Sequence, residues 1–128
     1  MKLIYIAGPF RGANAWEVHQ NCNRAEAMAF EVFELGAVAL CPHNNTRNFD
    51  GTFDEPFWLE ATLELMRRCD AVLVLPDSEN SKGTKGEIAE ATKLGIPVFR
   101  SLAELREWVG AHATQIDTWV CGECGWAP

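Results

Sequence analysis

Four short apolar runs alternate along the chain with longer segments whose apolar residues recur at helical spacing. The runs predict buried β-strands at residues 3–7, 37–41, 71–75 and 97–99. The longer segments predict helices at residues 15–35, 56–68 and 85–94, and Ser101 is positioned to cap a last helix. Because a strand is followed by a helix four times, the pattern predicts an α/β protein with a three-layer, flavodoxin- or Rossmann-like fold, in which a parallel sheet carries helices on both faces.

Polar or flexible loops follow the first three predicted strands. They comprise residues 8–12, residues 42–54, which are predicted to be irregular, and residues 77–86. In a parallel sheet the carboxyl ends of the strands lie at one edge, and ligands bind there. The three loops are therefore predicted to form one pocket.

The third of these loops leads into the chain's most informative carboxylate, Glu87. Residues 81–87 read Ser-Lys-Gly-Thr-Lys-Gly-Glu, and Glu87 is predicted one turn into the third helix, on the side that packs against the sheet. One interpretation is that Glu87 only interacts favourably with the helix dipole. The other is a carboxylate directed into a cleft beside Gly83 and Gly86, where a ligand approaches the backbone closely.

The first loop contains a cation, Arg11, between Gly8 and Gly12. An isolated loop arginine is commonly a solvated charge. The flanking glycines equally allow the guanidinium to contact a phosphate or another oxyanion. Both interpretations stay open on the residues alone.

Composition narrows the classes of protein and partner. The chain has 128 residues, of which 48% are hydrophobic, and this suits one α/β domain, predicted at residues 1–112, with a tail at residues 113–128. The net charge of -7 argues against a nucleic-acid polymer or an anionic membrane as the main partner, but allows a small phosphate ligand. No apolar run approaches the roughly 20 residues that span a bilayer. Five cysteines without a secretory signal predict a reducing, cytoplasmic location.

Three motifs in order resemble the nucleoside 2-deoxyribosyltransferase-like superfamily. They are Tyr-Ile-Ala-Gly-Pro-Phe-Arg-Gly at residues 5–12, Cys-Asp-Ala-Val at residues 69–72, and Ser-x-Gly-Thr-x-x-Glu at residues 81–87. The resemblance covers about residues 1–100, and within the superfamily the chain is most similar to the 2'-deoxynucleoside 5'-monophosphate N-glycosidases. It implies an enzyme that cleaves the bond between a nucleobase and C1' of a (deoxy)ribose, in a small-molecule nucleotide or nucleoside.

The resemblance also implies roles for individual residues. Glu87 matches the nucleophile, Tyr5 the tyrosine that hydrogen-bonds it, and Asp70 a further catalytic aspartate, which suits chemistry that passes through an oxocarbenium-like state. Without the resemblance, Tyr5 is equally a half-buried strand residue and Asp70 a residue that ends a helix. The expected substrate-binding residues are Gly8, Phe10, Arg11, Gly12, His43, Ser81, Gly83 and Thr84.

Three positions depart from the pattern of the nucleoside transferases or their relatives. Ser81 stands where the transferases carry an aspartate, as in the monophosphate glycosidases, and this removes a charge that would repel a 5'-phosphate. Pro9 stands where those glycosidases have a serine, so one hydroxyl donor is missing. Thr62 replaces a helical aspartate of many relatives. A phosphorylated substrate is therefore favoured, with a reduced catalytic set.

The tail carries Cys121 and Cys124, a Cys-x-x-Cys pair that resembles one knuckle of a zinc ribbon. Three interpretations stay open: a structural zinc completed by the tail of a second subunit, no metal, or a redox pair. Catalysis is expected to require no cofactor.

A homo-oligomer, specifically a dimer, is predicted from the resemblance, because the family's sites commonly borrow residues across an interface. Tryptophan-rich helices would supply the apolar surface. Two further functions remain open: transfer of the sugar to a second base, and non-catalytic binding or sensing of a nucleotide on the same scaffold.

Overall fold

The structure is a computed structural model and describes residues 1–49 and 51–111. In these residues, strands and helices follow one another in the predicted order. The strands are β1 (Leu3–Ala7), β2 (Val38–Leu40), β3 (Ala71–Val74) and β4 (Val98–Phe99). The helices are α1 (Ala15–Glu34), α2 (Pro42–Thr46), α3 (Glu55–Arg67), α4 (Lys82–Leu94) and α5 (Leu102–Ala111).

The strands form one parallel sheet in the order β2-β1-β3-β4. Side chains of successive strand residues point to opposite faces, so Ile4 and Ile6 pack with α1 and α5 on one face. Tyr5 and Ala7 belong to the core on the other face, with Met66 of α3 and Ala91 of α4. Helices therefore cover both faces, and the predicted three-layer α/β fold is confirmed.

The register of the sheet brings the functional loops together at one edge. Ala7, the last residue of β1, pairs with Val74, the last residue of β3, and the N–H of Leu75 donates to the carbonyl of Ala7 at 2.9 Å. On the other side of β1, Tyr5 pairs with Leu40, the last residue of β2. The loops after these strands consequently leave the sheet side by side.

Helix α4 begins at Lys82, three residues earlier than predicted. The Ser81 side chain is the reason, because its Oγ accepts a hydrogen bond from the N–H of Thr84 at 3.3 Å and so caps the helix. Glu87 consequently lies in the second turn, and the first turn of α4 contains no acidic residue. This weakens the helix-dipole interpretation of Glu87, since that interaction fades beyond the first turn.

The segment predicted as an irregular loop contains the five-residue helix α2, so that part of the prediction is wrong. Pro42 supplies the helical φ at its first turn, and the Thr46 hydroxyl donates to the Pro42 carbonyl at 3.1 Å. One and a half turns are too short to leave a helical period in the sequence.

The predictions for the C-terminal tail concern residues beyond the described ranges. The tail at residues 113–128, with Cys121 and Cys124, lies outside them, so its zinc, redox and domain interpretations stay predictions. Within the described residues, no helix combines the length and the apolar character needed to cross a membrane.

Candidate active site

A cavity of about 800 Å³ opens at the carboxyl edge of the sheet. The loop after β1, helix α2, one side of α3 and the first two turns of α4 form its walls. This volume is in the range that holds a drug-sized or nucleotide-sized ligand. Eight of the predicted site residues line it: Tyr5, Gly8, Phe10, Arg11, His43, Ser81, Gly83 and Glu87.

Glu87 and Tyr5 form the chemical centre of the cavity. Oε2 of Glu87 is shielded from solvent, and burial raises the pKa of Glu87 to about 7, while the neighbouring Tyr5 hydroxyl acts in the opposite direction. Burial also raises the pKa of Tyr5 far above its usual value, and the Glu87 carboxylate raises it further. Tyr5 is therefore a neutral donor beside a carboxyl group that changes charge near neutral pH.

Neither the Tyr5 hydroxyl nor Oε2 of Glu87 completes a hydrogen bond with another described residue. The two groups are close enough to influence each other's pKa, yet both keep hydrogen-bonding capacity. Both atoms are shielded from solvent, so in this conformation they face each other rather than a bound molecule. The arrangement is typical of a site that reacts with a bound molecule.

Replacement of Glu87 by Gln is expected to stabilise the fold relative to the parent protein, and the difference should grow as the pH rises. The folded state keeps the Glu87 proton up to about pH 7, whereas the unfolded chain releases it near pH 4.5, so the parent loses stability between those values. The glutamine variant does not titrate and should gain about 3 kcal/mol relative to the parent at pH 8. Urea unfolding of both proteins at pH 4, 6 and 8 measures the difference. A difference that stays constant across this range would contradict the raised pKa.

The wall from α3 carries three functional candidates, of which the sequence singled out only Thr62. Glu55, Trp58 and Thr62 all line the cavity, at the i, i+3 and i+7 spacing of one helix face. Thr62 was predicted only as the replacement of a family aspartate. Its hydroxyl lowers the pKa of Tyr5, whereas burial raises it. The helical period at residues 56–68 was the only signal for Glu55 and Trp58, and a helical period alone does not separate a cavity wall from a core face.

Two buried polar side chains fix the loop after β1. Asn21 of α1 donates to the carbonyls of Phe10 at 3.2 Å and Arg11 at 3.1 Å. Nε2 of His43 donates to the carbonyl of Pro9 at 3.0 Å, which requires the proton on Nε2. Burial lowers the pKa of His43 and so favours its neutral form. His43 thus joins α2 to the first loop as an uncharged wall of the cavity.

The mouth of the cavity carries cations and one further carboxylate. Nε of Arg11 lies 3.9 Å from Oε1 of Glu55, and both side chains are largely exposed. Such an exposed pair is weak, so the guanidinium is available to a ligand. Lys82, at the start of α4, also lines the cavity. Arg11 is therefore both solvated and part of the cavity wall, and its contact with an oxyanion stays a prediction.

Gly83 and Gly86 lie on the face of α4 that lines the cavity. A Cβ atom at Gly86 would meet no protein atom within 4 Å, and one at Gly83 would meet only the Ser81 hydroxyl, at 4.0 Å. Packing within the described residues does not require either glycine, although glycine in a helix lowers stability. The space that the missing side chains leave belongs to the cavity.

We predict that Gly86→Ala stabilises the protein and weakens ligand binding. Alanine in place of a helical glycine should raise the free energy of unfolding by about 0.5–1 kcal/mol, while its methyl group narrows the cavity. The matched control is Gly110→Ala in α5, where a Cβ also meets no described atom and no cavity wall is involved. Thermal unfolding and nucleotide titration of both variants measure the two effects. Unaltered affinity in Gly86→Ala would show that the ligand stays clear of α4.

Three predicted site residues do not line the cavity. Asp70 lies just before β3, at the opposite edge of the sheet, where Oδ2 accepts from the N–H of Leu3 at 2.7 Å. Five residues of extended chain, roughly 16 Å, separate it from Leu75. The Asp70 side chain therefore fixes the start of β1 away from the cavity, and its expected catalytic role stays a prediction.

Gly12 and Thr84 are the other two predicted site residues that do not line the cavity. A Cβ atom at Gly12 would come within 2.4 Å of Cβ of Glu17, so this glycine is needed for the approach of the first loop to α1. The Thr84 side chain is fully buried within the fold, and its N–H is used by the Ser81 cap. Both residues support walls of the site without forming them.

Residues 1–49 and 51–111 contain no group of three or more His, Cys, Asp or Glu side chains that could hold a metal ion. The chemistry available at the cavity is that of a carboxyl group with a near-neutral pKa, a tyrosine hydroxyl and two cationic side chains.

Comparisons with known proteins agree with this fold. Among solved structures, the chain is similar to a 2-deoxyribosyltransferase from the psychrotolerant bacterium Bacillus psychrosaccharolyticus, with 24% sequence identity and a TM-score of 0.55. The match covers 75% of this chain and 69% of the transferase chain. No curated protein sequence matches significantly. Residues 2–101 match the model of a family described as a domain of unknown function, DUF7768, and the chain belongs to that family.

Proposed function

We propose that this protein cleaves the N-glycosidic bond of a (2'-deoxy)nucleoside 5'-monophosphate and releases the base, with Glu87 as nucleophile. The observation that carries the proposal is the Glu87 carboxyl group, with a pKa of about 7, beside the Tyr5 hydroxyl in a cavity of about 800 Å³. A carboxylate near C1' is the group that glycosidic cleavage requires. The motif resemblance and the shared fold of the 2-deoxyribosyltransferase support the same chemistry.

The reaction proceeds in two steps that both use Glu87. In the first, the carboxylate attacks C1', the bond from C1' to the base nitrogen breaks, and its electron pair leaves with the base. In the second, water attacks C1' of the glycosyl ester and restores the carboxylate. The base gains one proton and the attacking water loses one, so the products are the free base and a sugar 5-phosphate.

Tyr5 supports these steps as a positioning donor. Its raised pKa keeps the hydroxyl protonated, so it can donate to the Glu87 carboxylate and hold the attacking oxygen in place. The hydrogen bond would also favour the ionised form of Glu87, which burial alone disfavours. No cofactor takes part in this chemistry.

The 5'-phosphate is assigned to the mouth of the cavity, at the start of α4. Helix N-termini bind anions through free N–H groups and the helix dipole, and α4 presents Lys82 and Gly83 there. Glu87 follows Ser81 by six residues, which corresponds to about 9 Å of rise along the axis of α4. A bound nucleotide can therefore place its C1' atom against Glu87 while its 5'-phosphate lies at the start of α4.

A nucleoside 2-deoxyribosyltransferase activity is the second candidate. The specific observation in its favour is the shared fold of the 2-deoxyribosyltransferase noted above. The first step is the same, and a second base replaces water in the second step. Both candidates need Glu87, and they differ in the acceptor.

Incubation with ribo- and deoxyribonucleosides and their 5'-monophosphates tests the proposal. Chromatography should detect free base from at least one monophosphate in the absence of any added base. Release that requires a second base would favour the transferase. Binding of nucleotides without release of base from any of them would leave a non-catalytic binding module.

The dimer stays a prediction. Light scattering at high protein concentration measures the mass of the assembly and tests it.

A further inference from the structure

Asn21 is a buried amide of helix α1 that holds two successive carbonyls of the loop after β1. Its Nδ2 atom donates to the Phe10 carbonyl at 3.2 Å and to the Arg11 carbonyl at 3.1 Å. Only 7% of Asn21 is exposed, and the other buried residues of α1 are apolar. Burial of an amide is costly unless its hydrogen bonds are made, so this position suits a donor that the loop requires.

Arg24 fixes the orientation of the Asn21 amide. One turn further along α1, the Arg24 guanidinium donates to Oδ1 of Asn21. A guanidinium has no acceptor atom, so Oδ1 faces Arg24 and the NH₂ group is left for the loop. The contacts from Arg24 through Asn21 to the loop therefore admit one orientation of the amide.

The two held carbonyls determine where the neighbouring amides point. In a trans peptide group, which is planar, the N–H points opposite to the C=O. The Phe10 carbonyl shares a peptide group with the N–H of Arg11, and the Arg11 carbonyl shares one with the N–H of Gly12. Because Asn21 binds both carbonyls from α1, both N–H groups point away from that helix. Among the described residues, no acceptor takes either N–H.

The direction away from α1 is the direction of the cavity. Helix α1 packs with α5 on one face of the sheet, whereas α3 and α4 pack on the other face and form two walls of the cavity. Phe10 and Arg11 themselves line the cavity. The N–H of Arg11 is therefore presented on the ligand's side of the loop, and the exposed guanidinium extends from the same residue.

We infer that Asn21 is a positioning residue for the 5'-phosphate. By holding the loop carbonyls on the side of α1, it presents the N–H and the guanidinium of Arg11 to the phosphate at the mouth of the cavity. The inference rests on the proposed function, because it concerns the phosphate of the same substrate. Asn21 does not itself line the cavity, so its effect passes through the loop.

The rest of the loop is anchored independently of Asn21. Nε2 of His43 donates to the Pro9 carbonyl at 3.0 Å, and Oε2 of Glu17 accepts from the N–H of Ala13 at 2.5 Å. Loss of the Asn21 donor should therefore release only the peptide groups between these two anchors. Those groups include the N–H of Arg11, and the fold should stay intact.

Two substitutions at Asn21 test the inference by calorimetric titration. Asn21→Asp keeps the size of the side chain and its contact with Arg24 but cannot donate to the carbonyls. Asn21→Ala removes the donor without adding a charge. In a Glu87→Gln background, which prevents turnover, the probes are the four common 2'-deoxynucleoside 5'-monophosphates and their nucleosides. Both substitutions should lower affinity for the tightest-binding monophosphate about tenfold or more, and should change affinity for its nucleoside less than about twofold.

Asn23→Asp is the matched control for the added charge, because Asn23 is an exposed residue of the same helix and lies outside the cavity. It should leave both affinities unchanged, and thermal unfolding verifies that each variant is folded during the titration. A loss confined to Asn21→Asp would assign the effect to charge. An equal loss for nucleotide and nucleoside would assign it to general damage of the site. Either result, or unchanged monophosphate affinity in both Asn21 variants, would overturn the inference.

The backbone amide signal of Arg11 gives a readout that a merely structural role would not move. With ¹⁵N-labelled arginine, the backbone signal missing from Arg11→Ala identifies Arg11. That signal should shift downfield with the monophosphate and stay in place with the nucleoside. In Asn21→Ala the shift should be lost even at saturating monophosphate, because the N–H no longer faces the phosphate. A shift that persists in Asn21→Ala, or that is absent when Asn21 is present, would refute the positioning role.

Failure of this inference is distinguishable from failure of the proposed function. Monophosphates that bind in an Asn21-dependent way but are not cleaved by the parent protein would contradict the catalytic proposal alone. Base release by the parent, together with unaltered monophosphate affinity in both Asn21 variants, would contradict the role of Asn21 alone. Absence of nucleotide binding to the parent would contradict both.

Discussion

Replacement of Glu87 by Gln should reduce the rate of base release by at least ~10³-fold. The amide keeps the shape of the carboxyl group but cannot attack C1'. Binding of the nucleotide should largely survive, because the cavity walls are unchanged. Single-turnover release of base, measured by chromatography, gives the rate, and calorimetry gives the affinity.

Glu90→Gln is the matched control for this substitution. Glu90 lies on the same helix but outside the cavity, where Oε1 accepts from Nε of Arg67 at 3.3 Å. Its replacement should leave the rate of base release within about twofold of the parent, because surface substitutions seldom act at a distance. If Glu87→Gln also kept the parental rate, the carboxylate would have no chemical role and the nucleotide-binding module would be the better hypothesis.

Asp70→Asn separates the structural assignment from the family resemblance. The resemblance implies catalysis by Asp70, whereas the side chain accepts from Leu3 at the far edge of the sheet. Asparagine can still accept that hydrogen bond, although more weakly than a carboxylate. We expect an unchanged rate of base release and a small loss of stability. A fall in rate without a change in fold would restore Asp70 to the catalytic set.

The fold could be predicted because its two central strands, β1 and β3, are buried on both faces. Such strands are continuous apolar runs, and β3, with all four residues buried, is the clearest case. The boundaries were less certain, because capping depends on side-chain geometry. Ser81 extended α4 by a turn, and α2 formed in a segment too short for a period.

The candidate site could be predicted where its residues follow the ends of strands. It could not be predicted where one face of a helix both packs in the core and lines the cavity. Tyr5 and Glu87 come together because β1 and α4 are adjacent in the fold. Trp58 has the spacing of a core residue, and only the cavity beside it and its unpaired N–H distinguish it. Asn21 interrupts the apolar face of α1, yet it is buried because it holds the first loop. No hydrophobic pattern predicts such polar roles.

Nucleoside monophosphates should bind about 10- to 150-fold more tightly than the parent nucleosides, as expected for a charge-assisted contact of about 1.5–3 kcal/mol. The phosphate would meet the start of α4, with Arg11 and Lys82 at the same mouth. Among the described residues, the Arg11 side chain forms an exposed 3.9 Å contact with Glu55, which a ligand can replace at little cost. Arg11→Ala should therefore weaken monophosphate binding and barely change nucleoside binding.

Ser81→Asp should reverse this preference without disturbing the helix. Aspartate caps helices as well as serine does, so the bond from the N–H of Thr84 to the residue at position 81 is kept. Only the charge is new, and it repels a 5'-phosphate while offering an acceptor to a 5'-hydroxyl.

Ser81→Asn is the matched control, because asparagine is a cap of the same shape without the charge. Competition titrations with a monophosphate and its nucleoside on the parent and the three variants measure the preference. Equal affinities in the parent, or equal behaviour of the aspartate and asparagine variants, would place the phosphate elsewhere and favour an unphosphorylated substrate, as expected for a nucleoside transferase.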